Sequence, residues 1–346
     1  MREPFPVLTT LRIFSLEHHG IAPALPVEFL GGSAPRLQSI YLYALPFPAL
    51  PTLLLSTSDL VYLHLRNIPQ TGYISPEAMV VGLAALPNLR TFRIKFQLAT
   101  PRPDRMLPPP VSRTVLPALT EFNFKGASEY LEDLVARIDA PQLDWFFVSY
   151  LNQFADFQVP QLSMFIDRSV GTKVTAFRYA RVTFYNHLVI FRTDRHANAC
   201  FPDPHYATTG IKCQGIDWQV SHIAQVISHF SETLSNVVHL RLEVEDSIQS
   251  EGTDNVERLL LLQQFPSVQT LHVSHQLAGH IAPALEAIAW ETDNKALPSL
   301  DLIYLVGRSA SSIEKFVAAR QLSGRPVTVI NTEGVFTERA KSHVSD

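Results

Sequence analysis

The side chains that could do chemistry in this chain are few and poorly spaced for it. His196, Cys200, His205 and Cys213 form the densest metal-like grouping, and their separations of four, five and eight residues match no compact zinc pattern. His222 and His229, seven residues apart, share one face of a helix, but two histidines do not complete a metal site. His272, His275 and His280 straddle the exit of a strand and read as surface residues. No phosphate-binding loop, dinucleotide glycine signature, Gly-x-Ser-x-Gly elbow or His-Glu-x-x-His pair occurs. With 14 glycines in 346 residues there is little from which to build a phosphate cradle. The expectation is a protein without catalysis, cofactor or metal.

Composition points the same way. Hydrophobic residues make up 46% of the chain and charged ones 17%, enough apolar material for a large core and against disorder throughout. The net charge of -4 gives no bulk reason to bind nucleic acid. Two cysteines, Cys200 and Cys213, exclude a disulfide scaffold and fit a reducing compartment. The opening Met1-Arg2-Glu3-Pro4-Phe5-Pro6 has no apolar stretch behind it, and no run approaches the roughly 18 apolar residues of a spanning helix. The expectation is a protein of the cytoplasm or nucleus, off the membrane.

What must position any functional residue is a repeat. An apolar triplet of the form L-x-x-L-x-L recurs as Leu8-Leu11-Ile13, Leu37-Ile40-Leu42, Leu60-Leu63-Leu65, Leu89-Phe92-Ile94, Leu119-Phe122-Phe124, Leu143-Phe146-Val148 and Val174-Phe177-Tyr179. After a weak copy, Thr208-Ile211-Cys213, come Val237-Leu240-Leu242, Val268-Leu271-Val273 and Leu300-Ile303-Leu305. The mean interval of about 29 residues is at the upper end of leucine-rich-repeat periods. Pro-x-Leu introduces several copies (Pro35, Pro87, Pro117, Pro141), where proline ends the previous helix and favours an extended entry.

The period-2 apolar pairs predict short strands with one buried face. Between them helices are expected from Ser75-Pro76-Glu77 to about Leu86, from Ser128, around Pro160 to Ile166, and over Trp218 to Leu234, Asn255 to Phe265, Ile281 to Trp290 and Ser312 to Leu322. Trp218 and Trp290 are expected in the core. The alternation predicts an α/β fold: a right-handed leucine-rich-repeat solenoid, or horseshoe, with a parallel inner sheet and outer helices. It is expected as one domain of about eleven repeats over residues 1–331. A Pro-rich loop at 97–115 and an insertion at 182–207 carrying a hairpin interrupt it, and a frayed tail follows at 332–346. A doubly wound α/β domain also alternates strand and helix, but it does not require one triplet eleven times.

The alternation fixes which residues face away from the core. Of 22 such positions, two per strand, eight are Lys or Arg and one is acidic, where chain-wide frequencies predict about two of each. The expected partner-binding face comprises Arg12, Tyr41, Tyr43, His64, Arg66, Arg93, Lys95, Lys125, Phe147, Arg178, Lys212, Arg241 and His272. Close-set cations beside aromatics suit an acidic or phosphorylated protein segment. The alternative is a solvated sheet face whose charge the helix side balances.

Stretches spread along the chain add a resemblance. Phe29-Leu-Gly-Gly-Ser-Ala-Pro-Arg-Leu37, Gly72-Tyr-Ile-Ser-Pro-Glu-Ala-Met79, Leu107-Pro-Pro-Pro110 and Val115-Leu-Pro-Ala-Leu-Thr-Glu-Phe122 are the first four. Glu129 to Pro141, Asp217 to Val226, His280 to Leu285 and Lys315 to Gly324 follow in order. With these the chain resembles the leucine-rich-repeat part of fungal F-box proteins. The resemblance implies target recognition for a cullin-RING ubiquitin ligase. Leu25-Pro26-Val27-Glu28-Phe29-Leu30 looks like the opening of an F-box, yet Gly31, Gly32 and Pro35 break any helix almost at once. The ligase adaptor is therefore expected as a partner only if an F-box lies upstream. The first triplet, beginning at Leu8, lacks the polar cap that a repeat array needs, which suggests a truncated gene product, a fragment or a partner-covered edge. The alternative is an F-box-less repeat scaffold outside ubiquitin ligation.

Overall fold

The triplets become strands in the computed structural model. It describes residues 5–15, 24–98, 112–151, 159–170, 177–194, 207–211, 216–230, 234–245, 255–290, 297–306 and 313–332. The Pro-rich run 101–110, Cys200, Cys213, His196, His205 and Lys212 lie outside these residues, as do the tail from residue 333 onward and the side chains of Trp218 and Trp290. The chain divides into two compact units, Met1–Val174 and Thr175–Asp346.

In the first unit the order is β1 (Thr10–Phe14), β2 (Ser39–Tyr43), α1 (Leu50–Leu54), β3 (Tyr62–Ile68), α2 (Pro76–Leu83), β4 (Thr91–Phe96), β5 (Thr114–Val115), β6 (Glu121–Gly126), α3 (Ser128–Val135), β7 (Ile138–Asp139), β8 (Trp145–Tyr150) and α4 (Pro160–Val170). Strands β1, β2, β3, β4, β6 and β8 form successive parallel pairs. Leu11, Ile40, Leu63, Phe92, Phe122 and Phe146 stand opposite one another in register, and so do Ile13, Leu42, Leu65, Ile94, Phe124 and Val148. From β2 to β8 all of these are buried, whereas Leu11 and Ile13 on the edge strand are only partly so. Phe92 and Phe122 stack nearly parallel with centroids 5.4 Å apart. Small β5 and β7 pair separately, an element that hydrophobic patterning did not signal.

Two backbone devices recur with the triplet. Its first residue closes a turn on the carbonyl three positions earlier, as in Leu37 to Ala34, Leu89 to Leu86, Leu119 to Leu116 and Leu143 to Ala140. This puts Pro35, Pro87, Pro117 and Pro141 second in the turn, where their fixed φ suits it. Then two consecutive N–H groups donate to one carbonyl just before the preceding strand: Val61 and Tyr62 to Gln38, Arg90 and Thr91 to Val61, Thr120 and Glu121 to Arg90. The helices pack in sequence order, α1 on α2, α2 on α3 and α3 on α4. Ser75 caps α2 by accepting from Ala78 N–H at 3.2 Å. The start of α4 is held from α3, whose Glu132 carboxylate accepts from the N–H groups of Gln161 and Leu162 at 2.8 and 2.9 Å. At Leu25 to Leu30 the chain makes a short turn, with Leu30 and Gly31 in the left-handed region, so no helix continues there.

The second unit contains β9 (Tyr179–Tyr185), β10 (Leu188–Asp194), β11 (Ala207–Ile211), α5 (Ile216–Ser228), β12 (His239–Val244), α6 (Asn255–Gln263), β13 (Thr270–Ser274), α7 (His275–Trp290), β14 (Leu302–Val306), α8 (Glu314–Leu322) and β15 (Thr328–Thr332). Strands β9, β12, β13, β14 and β15 are parallel neighbours, with Ala180, Leu240, Leu271, Ile303 and Val329 in one row. Again two N–H groups, of Gln269 and Thr270 or Asp301 and Leu302, share one carbonyl just before the previous strand.

This unit corrects three expectations. The copy at Val174-Phe177-Tyr179 is out of register: the strand uses Ala180, Val182 and Phe184 as its buried face, and Tyr179 faces away. The weak copy at Thr208 to Ile211 is a strand, but it runs antiparallel to β10, which is itself antiparallel to β9. Only Asn186 and His187 link β9 to β10, far short of the dozen or so residues that a parallel crossover requires. β9 and β10 form a hairpin whose first arm is a repeat strand, so residues 182–185 belong to that strand and not to an insertion beginning at 182. β12 returns to β9 rather than to the weak copy.

Candidate functional site: a cationic and aromatic sheet face

On the first unit the residues alternating with the core line three rows across the parallel strands. The middle row reads Arg12, Tyr41, His64, Arg93, Asn123, Phe147. One row begins with Phe14, Tyr43 and Arg66, and its continuation pairs Lys95 with Lys125 and Lys125 with Ser149. The register shifts between Leu65 and Ile68, where Asn67 takes a positive φ of 55°, so a bulge adjoins Arg66. The other outer row ends in Thr91, Glu121 and Trp145.

The contacts bind these rows together. Arg66 Nη1 donates to the Tyr41 hydroxyl at 3.0 Å, and the Tyr41 ring lies 5.1 Å from Phe14 and 5.7 Å from His64. Arg93 pairs with Glu121 at 3.2 Å and sits 5.7 Å above the Trp145 ring. Lys95 Nζ lies 5.9 Å over the Phe147 ring, which stacks on Trp145. Cations held over aromatic faces are attracted by the ring quadrupole. Burial, then the nearby arginines, pushes His64 down to about 4, so it is neutral at pH 7. Burial, followed by Arg66, Arg93 and Lys125, pushes the Lys95 ammonium down to about 8. The face thus brings Arg66, Arg93 and Lys125 near Lys95, with Glu121 paired to Arg93.

On the second unit the corresponding row runs Thr208, Arg192, Arg181, Arg241, His272, Tyr304. Glu243 pairs with Arg181 at 3.6 Å and with Arg241. Imidazoles stack on tyrosines at 4.5 Å in two places, His239 on Tyr179 and His272 on Tyr304. Burial, then Arg241, His239 and Arg181, brings His272 down to about 4.

Of the residues expected on the binding face, Arg12, Tyr41, Tyr43, His64, Arg66, Arg93, Lys95, Lys125 and Phe147 share one face of the first unit. Arg241 and His272 share a face of the second. Arg178 does not belong there: it precedes β9, and its carbonyl accepts from Val238 and His239 N–H. Arg181 and Arg192 take the positions that sequence reading missed. Glu121 and Trp145 were also missed, because only two outward positions per strand were read and these lie one step earlier. Among the described residues no group of three or more His, Cys, Asp or Glu is gathered to hold a metal, and no helix is long and apolar enough to cross a membrane.

Such a face offers charge-assisted hydrogen bonds and flat apolar surface, which suits recognition of an anionic chain. No family model matches the chain, and no curated protein matches it. Among solved structures, the crystal structure of the leucine-rich repeat-containing protein LegL7 from Legionella pneumophila is 14% identical over 87% of this chain and 86% of that one, with a TM-score of 0.31, too loose a superposition to carry weight.

Proposed function

We propose that this chain is a noncatalytic leucine-rich-repeat protein whose cationic and aromatic sheet face captures an acidic or phosphorylated segment of another protein. The observation that carries the reading is the convergence of Arg66, Arg93, Lys95 and Lys125 between Tyr41 and Phe147, on a chain of net charge -4. Backbone devices recurring with most of the described triplets support the repeat assignment and its solenoid form. The resemblance to fungal F-box proteins adds the finer reading of a target receptor for a cullin-RING ubiquitin ligase in the cytoplasm or nucleus. A scaffold outside ubiquitin ligation remains the second reading, favoured by the turn that replaces a helix at Leu25 to Leu30.

The test is a peptide array carrying phosphorylated, glutamate-rich, uncharged and basic sequences, probed with the chain and with the combined variant Arg66→Glu, Arg93→Glu and Lys95→Glu. Retention of anionic peptides by the native chain alone is expected. A folded triple variant that retains the same peptides would end the proposal. Co-elution with the ligase adaptor separates the receptor from the scaffold.

A further inference from the structure

Lys95 occupies an unusual electrostatic position. It stands directly across from Lys125 on the neighbouring strand, and like charges placed so repel. Arg93 lies two residues back on the same face of β4, and Arg66 projects from β3. Its amine sits over the Phe147 ring at 5.9 Å, which partly removes it from water. The charges acting on it, Arg66, Arg93 and Lys125, are all positive, whereas Arg93 has Glu121 as a partner.

Burial weighs against any charge there, but the three neighbouring cations repel an ammonium and attract an anion. We propose that Lys95 is a carbamylation site, where the neutral amine reversibly takes up carbon dioxide and the surrounding cations stabilise the resulting carbamate. The nitrogen lone pair forms a bond to the carbon of carbon dioxide. One C=O π pair moves onto oxygen, and one N–H proton leaves to solvent base. Amine and carbon dioxide thus give carbamate and a proton, with no oxidant or second reagent. The site's charge changes from positive to negative beside three cations; burial disfavours either charge, whereas the field of Arg66, Arg93 and Lys125 repels the ammonium and attracts the carbamate. The lowered proton affinity of Lys95, about 8, leaves a substantial neutral fraction near pH 8, where an ordinary lysine of about 10.4 is almost wholly protonated. Carbon dioxide is the sole ligand required, so the inference stands apart from target capture.

The full chain is equilibrated at pH 8 with carbon-13-labelled bicarbonate, trapped by an alkyl oxonium reagent, digested and read by mass spectrometry. Lys95 should carry the label at roughly ten times or more the occupancy of exposed Lys315. The Lys95→Met variant supplies the blank. In the double variant Arg66→Gln and Arg93→Gln, which keeps the amine, labelling of Lys95 should fall several-fold, with circular dichroism reporting the fold. Labelling of Lys95 no greater than that of Lys315, or unchanged in a folded double variant, overturns the proposal.

Discussion

Replacing Lys95 by Met should stabilise the protein, because the native residue is held in place at the expense of the fold. Methionine keeps an unbranched stem of similar length over the Phe147 ring and removes the charge from among Arg66, Arg93 and Lys125. Burial and those three cations bring the ammonium from 10.5 to about 8. Taken in full, such a change would correspond to ~3 kcal/mol. The side chain is partly open to water, and solvent screening reduces this to on the order of 1–2 kcal/mol. The sign follows from proton counting. Between pH 8 and 10.5 the unfolded lysine holds more proton than the folded one, so native stability rises with pH through that window and the penalty is complete below it. Urea denaturation of both proteins from pH 7 to 11 isolates the residue as a difference. The variant should lead at pH 7, and its lead should shrink as pH climbs from 8 past 10.5. A variant no more stable at pH 7, or a lead independent of pH, would refute the claim that burial and like charge hold the Lys95 ammonium at the expense of the fold.

Phe122→Ala removes a fully buried ring that packs on Phe92, Phe146 and Phe165, and should cost about 3–5 kcal/mol in denaturant unfolding. His64, held neutral down to about 4, contributes stability that is present above pH 6.5 and lost as pH falls toward 4. The non-titrating His64→Gln should therefore show a shallower loss over that window. Burial pushes Glu132 up to about 7, against the opposing pull of the Gln161 and Leu162 N–H bonds. Its stabilisation is complete below pH 4.5 and declines as pH rises through 7, so the difference between native protein and Glu132→Gln should change in that direction.

Much of the architecture was legible because one physical constraint repeats. Leu63, Phe92 and Phe122 had to share a face, since a one-residue slip would put Arg93 or Asn123 into the core. The same parity places Arg66, Arg93, Lys95 and Lys125 on one face from the sequence alone. Reading failed where the triplet was degenerate. Phe177 is buried as expected, but Tyr179 is not: within the strand Ala180, Val182 and Phe184 also alternate, and they face the core. The length of the Asn186-His187 link, too short to cross over, was the signal that the next strand must turn back. The Arg93–Glu121 pair and the cap that Glu132 gives α4 join residues 28 to 30 positions apart. Only the folded register brings such partners into contact.

The central claim is that the recurring triplet sets one strand register and, through it, one cationic face. Nuclear Overhauser contacts in a deuterated, selectively Leu- and Phe-labelled chain address it most directly. The account predicts contacts between the Leu63 methyls and the Phe92 ring, between the Phe92 and Phe122 rings, and between Leu240 and Leu271. Leu63 methyls without a contact to the Phe92 ring, with no contact between the two phenylalanine rings, would contradict the register and dissolve the face built on it.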